Sequence, residues 1–301
     1  MTDSNPLTRE QVAALTQRSN LRGGWILCCQ FAITAGIFAL AAYFPNPLVW
    51  LLCLIMLGGR HMGFFVLTHE AGHGTLFASP AANKWVSKWL TSPMDFSNGQ
   101  AYMREHLEHH RSVGLENDPD LANYADYPVD KARFRRKLMR DITGRTGWRN
   151  LRLKLGGFAS WSSLTEEDRG ALMRGALWHT ALLSVLTLFG YPFLYLLWLG
   201  AQIFTYPLIA RVRQISEHAA VPKLDSEQPI LNTRTTMVDP LTRLVMAPHG
   251  VNYHVEHHLV ASIPIYRLSQ AHSMLKASGY YDQHPPTRSY RQMLRGAVQA
   301  A

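Results

Sequence analysis

The sequence predicts an all-α membrane protein, with four transmembrane helices in two hairpins and a cytoplasmic helical cap that carries a His-rich site. Three observations predict it. The 301 residues contain four apolar runs long enough to cross a bilayer. The turns inside the two pairs of runs carry no charge, while Lys and Arg gather in three polar segments. Eight of the 14 His fall in three tight clusters, all within those polar segments.

The elements follow in order. Residues 1–24 are polar, with Arg9, Arg18 and Arg22. Trp25–Tyr43 is the first span; it is long for the apolar core of a signal peptide, although Ala39-Leu40-Ala41 resembles a cleavage site. Phe44-Pro45-Asn46-Pro47 turns the chain, and Leu48–Leu67 returns, so residues 25–67 form the first hairpin. Arg60 and His61 sit in the last third of that return, where Arg60 is expected to snorkel toward the headgroups. Residues 68–171 form a long polar segment with two of the His clusters. Its basic run, Lys131–Arg140, places Phe134 and Leu138 at i, i+4. That run reads either as a helix on an anionic leaflet or as an ordinary solvated helix. Leu172–Phe189, the turn Gly190-Tyr191-Pro192 and Phe193–Ala210 make the second hairpin, residues 172–210. Residues 211–301 are polar again and hold the third cluster. The chain reads as one membrane domain, 1–301. The distribution of Lys and Arg puts both termini and every His cluster on the cytoplasmic side, as expected of a bacterial inner-membrane protein.

Composition narrows the classes. Hydrophobic residues are 47% of the chain, yet the mean hydropathy is only −0.09, because apolar runs alternate with strongly polar stretches. The net charge of +9 comes without a nucleic-acid motif, so a membrane surface is the expected partner and nucleic acid is not. Cys28, Cys29 and Cys53 all lie in apolar runs, which argues against disulfides and Cys metal sites. Oligomeric state leaves no trace in the sequence.

The clusters carry the chemistry. His69-Glu70-Ala71-Gly72-His73 fits H-E-x-x-H, the helical zinc site of many metalloproteases. A protease site of that kind would use His69, His73 and one further ligand, with Glu70 as base, and leave the other clusters idle. Those are His106-Leu107-Glu108-His109-His110 and His254-Val255-Glu256-His257-His258, a repeat of H-x-x-H-H at two distant places. Spacings of three and four put side chains on one helix face, so each cluster is expected to aim its imidazoles at one point. Eight imidazoles are too many for one metal of ordinary coordination number and about right for two. The pentapeptide is therefore most simply two ligands of a dinuclear site. His61, His179, His249, His272 and His284 are isolated and expected to have other roles.

The three clusters, in this order and interleaved with two hydrophobic hairpins, resemble the three histidine boxes of the integral-membrane fatty acid desaturase/hydroxylase family. The resemblance runs from about residue 25 to 275. It implies a diiron centre with O₂ as co-substrate, and a further ligand between the fourth span and the third box. In Arg213-Gln214-Ile215-Ser216-Glu217-His218 that ligand is His218, and Gln214 stands where related enzymes often have an Asn close to one metal through water. The implied metal ligands are thus His69, His73, His106, His109, His110, His218, His254, His257 and His258. Glu70, Glu108 and Glu256, inside the boxes, either orient ligand imidazoles or balance the charge of the site. Asp118-Pro119-Asp120 is either a turn or a support for the second box, and Asn252 and Tyr253 precede the third box and could orient it.

The family resemblance implies a desaturase acting on a fatty-acyl chain of a membrane lipid or acyl thioester. A hydroxylase or ketolase of an acyl chain or carotenoid is the alternative on the same fold, and a zinc protease built on His69-Glu70-His73 the distant one. The chain has no Rossmann fingerprint, iron–sulfur Cys set or haem motif, so electrons must come from outside, from ferredoxin or cytochrome b5 with its reductase. The basic face either docks such an acidic carrier or satisfies the positive-inside rule alone.

Overall fold

Polar caps fix where the long helices begin. Helix α1 (Asn20–Tyr43) starts at Ser19, whose hydroxyl accepts from the Arg22 amide, 3.2 Å. Three residues later Asn46 caps α2 (Pro47–Gly72), with Pro47 in the first turn, where its missing N–H has no cost. The middle segment forms α3 (Gly99–Ser112), α4 (Lys131–Ile142) and α5 (Arg145–Gly156). Thr165 then caps α6 (Glu166–Leu188), and the chain returns through α7 (Pro192–His218), which holds a π turn at Ala201–Thr205. The third His box lies on α8 (His254–Leu259). The computed structural model describes residues 6–299; the first five residues of the predicted N-terminal segment and the last two of the C-terminal one lie outside them.

The chain is therefore mostly helical, and α1, α2, α6 and α7 are each long and apolar enough to cross a membrane. Their outward faces expose Leu48, Leu51, Leu52, Leu177, Leu183, Leu188 and Leu196, as lipid-facing helices do. Between the spans lies a core of Phe38, Leu57, Phe64, Leu194 and Trp198. A second core joins Met62 and Val66 of α2 and Ile209 of α7 to Val255, Ile263, Ile265 and Leu268. This second core presses the C-terminal segment, and with it α8, onto the ends of α2 and α7.

One feature departs from the sequence expectation. Arg60 does not snorkel. It is 2% exposed, and its guanidinium donates to Gln30 Oε1 of α1 (3.0 Å) and to the Leu244 carbonyl. Gln30 Nε2 in turn donates to the Arg60 carbonyl, 2.8 Å. Gly63 makes this approach possible, since a Cβ there would sit 2.4 Å from Gln30 Oε1. A buried charge is tolerated when its donors are met, and here they are. Residues 87–97 fold back beside α6, where Phe96 stacks on His179 (4.4 Å between centroids) and the Met94 carbonyl meets His179 Nε2 at 3.2 Å. His179 belongs to the apolar part of α6, so this piece packs against the spans themselves.

Helix α4 forms on the basic run, capped by Asp130. Phe134 and Leu138 are half-buried, while Arg135, Arg136 and Arg140 are exposed. Helix α5 lies against the π turn of α7, and Gly147 permits this: a Cβ there would meet the Ile203 carbonyl at 2.2 Å. Asp141 and Arg211 lock α4 to α7, with Nη2 to Oδ1 at 2.9 Å.

Candidate metal centre

The helices run past their apolar stretches, and the overhang holds the site. Helix α2 continues beyond Leu67 to place His69, with His73 as its C-cap. Helix α7 continues beyond Ala210 to end on His218. Helix α3 brings His106, His109 and His110, and α8 brings His254, His257 and His258. All nine imidazoles implied by the resemblance meet in one place.

They meet as two sets. One holds His69, His73, His106, His110 and His257; the other holds His109, His218, His254 and His258. Within each set the donor atoms lie within 4.8 Å of one another. Neighbouring Nε2 atoms are closer still: His69–His106 2.8 Å, His73–His106 3.1 Å, His106–His110 3.0 Å and His110–His257 3.0 Å. In the second set, His109–His218 is 3.2 Å, His218–His254 2.9 Å and His254–His258 3.1 Å. The expectation that each box aims at one point holds for His69 and His73 and is corrected for the two H-x-x-H-H boxes. In α3 the i, i+4 pair His106 and His110 joins the first set, and His109 the second. In α8 the i, i+4 pair His254 and His258 joins the second, and His257 the first. Residues four apart on a helix share a direction, while the third His is rotated away, so each H-x-x-H-H box serves both sets.

The spacing fits bound metal and does not fit hydrogen bonding alone. His218 Nδ1 faces the Asn232 carbonyl at 3.0 Å, and a carbonyl only accepts, so Nδ1 carries the hydrogen. His109 Nδ1 faces Asp118 Oδ1 at 2.9 Å and is fixed in the same way. Their Nε2 lone pairs then point at each other across 3.2 Å. A cation between them removes that repulsion. Two nitrogens on bonds of about 2.1 Å at right angles are about 3.0 Å apart, the separation seen throughout both sets. The rings are also held in the neutral form that ligates. Burial lowers His73 to about 4; burial and the neighbouring imidazoles lower His110 to about 3. The same causes hold His106, His254, His257 and His258 well below their ordinary value.

The acidic residues divide sharply. Asp118 supports His109 and is a turn as well. Its Oδ1 also accepts from the Asp120 amide (2.8 Å), and its Oδ2 from the Gly114 amide (3.1 Å) and the Tyr124 hydroxyl. Burial alone would raise this carboxyl, but the hydrogen bonds from His109 and Tyr124 outweigh it and bring it to about 2. Glu70 stands 3.5 Å from His69 Nδ1, while its Oε2 accepts from Thr75 Oγ1 (2.8 Å) and the Ile265 amide (3.0 Å). Glu256 touches no ligand; it accepts from His272 (2.5 Å), Thr235 (2.5 Å) and Tyr281 (2.6 Å), and so anchors α8. Glu108 points outward to Arg111 and Asn117. Asn252 ties the chain before α8 to Thr236, 3.0 Å. Gln214 lies one turn before His218 and, with Tyr102, lines a cavity of about 390 Å³. Sequence reasoning passed over Glu217. Its Oε1 lies 3.6 Å from His254 Nδ1 and 2.7 Å from Arg213 Nε. Its place beside His218 at a buried helix end was the available signal.

The isolated His serve elsewhere: His61 against the Trp198 carbonyl, His179 between Tyr195 and Met94, His249 against Gln30, His272 on Glu256. His284 lies in the loop after Tyr281, beside neither set.

A multi-pass helical membrane protein with nine converging imidazoles in two sets belongs to the histidine-box class of membrane oxidoreductases. The chain is a member of the fatty acid desaturase family, which it matches over residues 45–291. Among its relatives, the chloroplastic sn-2 acyl-lipid omega-3 desaturase (ferredoxin) of Arabidopsis thaliana is 28% identical over 85% of this chain and 60% of its own length. The sn-1 oleoyl-lipid 12-desaturase of Picosynechococcus is 25% identical over 81% of this chain and 74% of its own length. A beta-carotene ketolase of Paracoccus is 30% identical over a shorter stretch, 33% of this chain and 41% of its own length. The chain thus spans less than two thirds of the first two relatives in order of match strength, the ketolase and the omega-3 desaturase.

Proposed function

We propose that this protein is an O₂-dependent desaturase with two iron ions, inserting a double bond into a fatty-acyl chain of a membrane lipid or acyl thioester. The observation that carries the reading is the division of nine imidazoles into sets of five and four. Family membership and the two acyl-lipid desaturases among the relatives support the substrate class. Two iron ions, given O₂ and two external electrons, supply the oxidising power to take hydrogen from an unactivated methylene. The chain's own residues do the rest. His69, His73, His106, His110 and His257 hold one ion, and His109, His218, His254 and His258 the other. Asp118 keeps His109 in the tautomer that ligates through Nε2, while Glu217 and Glu70 place negative charge 3.6 and 3.5 Å from His254 and His69 Nδ1. Tyr102, stacked on His106 with 5.6 Å between centroids, and Gln214 border the cavity where the chain to be oxidised lies.

The remaining assignments belong to the same proposal. Residues 1–301 act as one domain. The termini and the His sets face the cytoplasm of a bacterial inner membrane, in line with the placement of Lys and Arg. Ferredoxin, named in the Arabidopsis relative, supplies the electrons. A ketolase is the second reading, favoured by the Paracoccus match.

The test is the acyl profile of a host that makes the protein together with ferredoxin and its reductase. New double bonds in air, and none without O₂, are the expected outcome. New hydroxyl or keto groups in their place would transfer the assignment to the second reading.

A further inference from the structure

Helix α5 lies across two spans near the ends of their apolar runs. At its start it packs on α7, where a Cβ on Gly147 would meet the Ile203 carbonyl and one on Gly144 would meet the Phe204 ring at 2.6 Å. Just past its end, a Cβ on Gly157 would meet Leu172 Cδ1 of α6 at 2.6 Å. Leu172 is the first residue of the α6 apolar run, and Ile203 lies seven residues inside the end of the α7 run, about 10 Å of helix. Between these points Lys154 turns inward. Its Nζ donates to the Asp95 carboxylate, to the Asp95 carbonyl (2.8 Å) and to Ser97 Oγ (3.1 Å). Gln202 Nε2 of α7 donates to Asp95 Oδ1 (2.5 Å), and of these groups Gln202 Oε1 alone lacks a partner among the described residues. Asp95, Lys154 and Gln202 form the floor of the cavity that Tyr102 and Gln214 also line. Gln202 stands twelve residues, about 18 Å of helix, before Gln214. Helix α5 is thus held below the His sets, at the depth of an interfacial helix, roughly 5–10 Å into the boundary of headgroups and acyl chains.

The outward side of α4 and α5 suits that place. From Lys131 to Thr165 the chain has ten Lys and Arg and a single acid, Asp141, which is buried against Arg211. Arg135, Arg136, Arg140 and Arg145 line one shallow groove of about 670 Å³, around Met139. All four are exposed, and none closes an ion pair or donates a hydrogen bond among the described residues. Four guanidiniums in one groove repel one another, and an anion there removes the repulsion. A phosphodiester fits, because a guanidinium pairs with two of its oxygens at once. A zwitterionic headgroup would bring its own cation into a groove without an acid, so a net-anionic one is favoured. On the same helix pair Met139, Ile142, Trp148 and Leu153 are exposed, Trp148 by 58%. Apolar side chains among arginines match a surface half in hydrocarbon and half in headgroups. The positive-inside rule asks only for cations in the segment and leaves these apolar chains unexplained. An acidic protein in water does not meet a face at the depth of the apolar runs.

We infer that α4 and α5 form an in-plane lipid-binding surface, and that the groove of Arg135, Arg136, Arg140 and Arg145 holds the phosphate of an anionic phospholipid. The acyl chains of that lipid lie along the exposed apolar side chains. The inference needs the four spans, and neither the metals nor the desaturase assignment.

The test uses the full chain reconstituted in phosphatidylcholine vesicles with a trace of spin-labelled phosphatidylglycerol or spin-labelled phosphatidylcholine. Electron paramagnetic resonance reads the fraction of label that the protein immobilises. Phosphatidylglycerol should be immobilised in preference, and the preference should weaken as salt is raised. Arg140→Gln and Arg145→Gln should each lower its association about fivefold, the worth of one basic residue at an anionic surface. The fourfold variant Arg135→Gln/Arg136→Gln/Arg140→Gln/Arg145→Gln should hold the two lipids equally. Equal immobilisation in the native protein, or a preference that survives in the fourfold variant, would overturn the inference. So would inorganic phosphate that abolishes the preference where chloride at equal ionic strength does not, since the groove would then take free phosphate. Binding of an acidic ferredoxin that the fourfold variant loses, with the lipid preference intact, would give the face to an electron carrier instead. The single variants decide if the fourfold one fails to insert: association unchanged in both overturns the inference.

Discussion

Two polar clusters, one buried and one partly buried, sit along the same fourth span, and they satisfy their polar groups in opposite ways. At the His218 end of α7, nine imidazoles converge in two sets, with neighbouring Nε2 atoms 2.8 to 3.2 Å apart. About 18 Å below, Asp95, Lys154 and Gln202 close on themselves, cation to anion and donor to acceptor. The lower cluster meets nearly all its own needs and leaves one carbonyl oxygen over. The upper cluster is held from behind at Asn232 and Asp118 but leaves the converging Nε2 atoms of His109 and His218 without a donor between them. The difference teaches where an ion belongs: a cluster completed by its own atoms is structural, and one that repels itself without a cation is a metal site.

Substitutions separate the two. The largest effect is expected at the ligands. His109→Ala and His257→Ala, one from each set, should each lower activity by more than about 100-fold, beyond what loss of a supporting residue costs. Metal analysis and acyl profiles check this. Asp118→Asn comes next. It keeps the size and loses the anionic acceptor for His109, so metal affinity should fall about 10- to 100-fold, read by chelator competition. Activity should fall with it while the fold, by circular dichroism, is unchanged.

Asp95→Asn should act on stability and spare the metals. Both partners are partly exposed, 29% for the Lys154 side chain and 15% for Asp95, so the loss is set at about 2 kcal/mol, below the range for fully buried pairs. A lower Tm with unchanged metal content is the expected result; loss of metal would join the two clusters into one unit.

A further effect is in pH. In metal-free protein, His73 and His110 are held at about 4 and about 3, against about 6.5 unfolded. The unfolded chain therefore binds more protons between these values, and stability present above about 6.5 is lost as pH falls toward 4 and 3. Asp95 is depressed too, so its contribution is present above the ordinary carboxylate value of about 3.9 and is lost only below it. In urea titrations of the metal-free chain followed by circular dichroism, stability should fall as pH drops from about 6.5 toward 4; stability unchanged across that window would mean that the imidazoles are not buried as described.

How much of this the sequence carried depends on distance along the chain. Each His box is a local pattern of five residues, so its ligands could be read without a structure. The spans were equally local, and only their ends moved. Helix α6 begins at Glu166 instead of near 172 because Thr165 offers a cap that the apolar run does not signal. The floor of the cavity joins residues 95, 154 and 202, and nothing local marks Asp95 as the partner of Lys154. Arg60 was misjudged for the same reason, since Gln30 and Leu244 satisfy it from distant elements. The split of each H-x-x-H-H box between two sets follows from helix geometry, but it shows only once α2, α7 and the facing helix are in place.

The central claim is that two metal ions share the nine imidazoles. Metal per chain, measured in detergent-purified protein beside a His109→Ala/His257→Ala double variant, tests it most directly. The account predicts two ions per chain, falling in the variant. One ion per chain, unchanged in the variant, would contradict it and leave His69-Glu70-His73 as a site of its own.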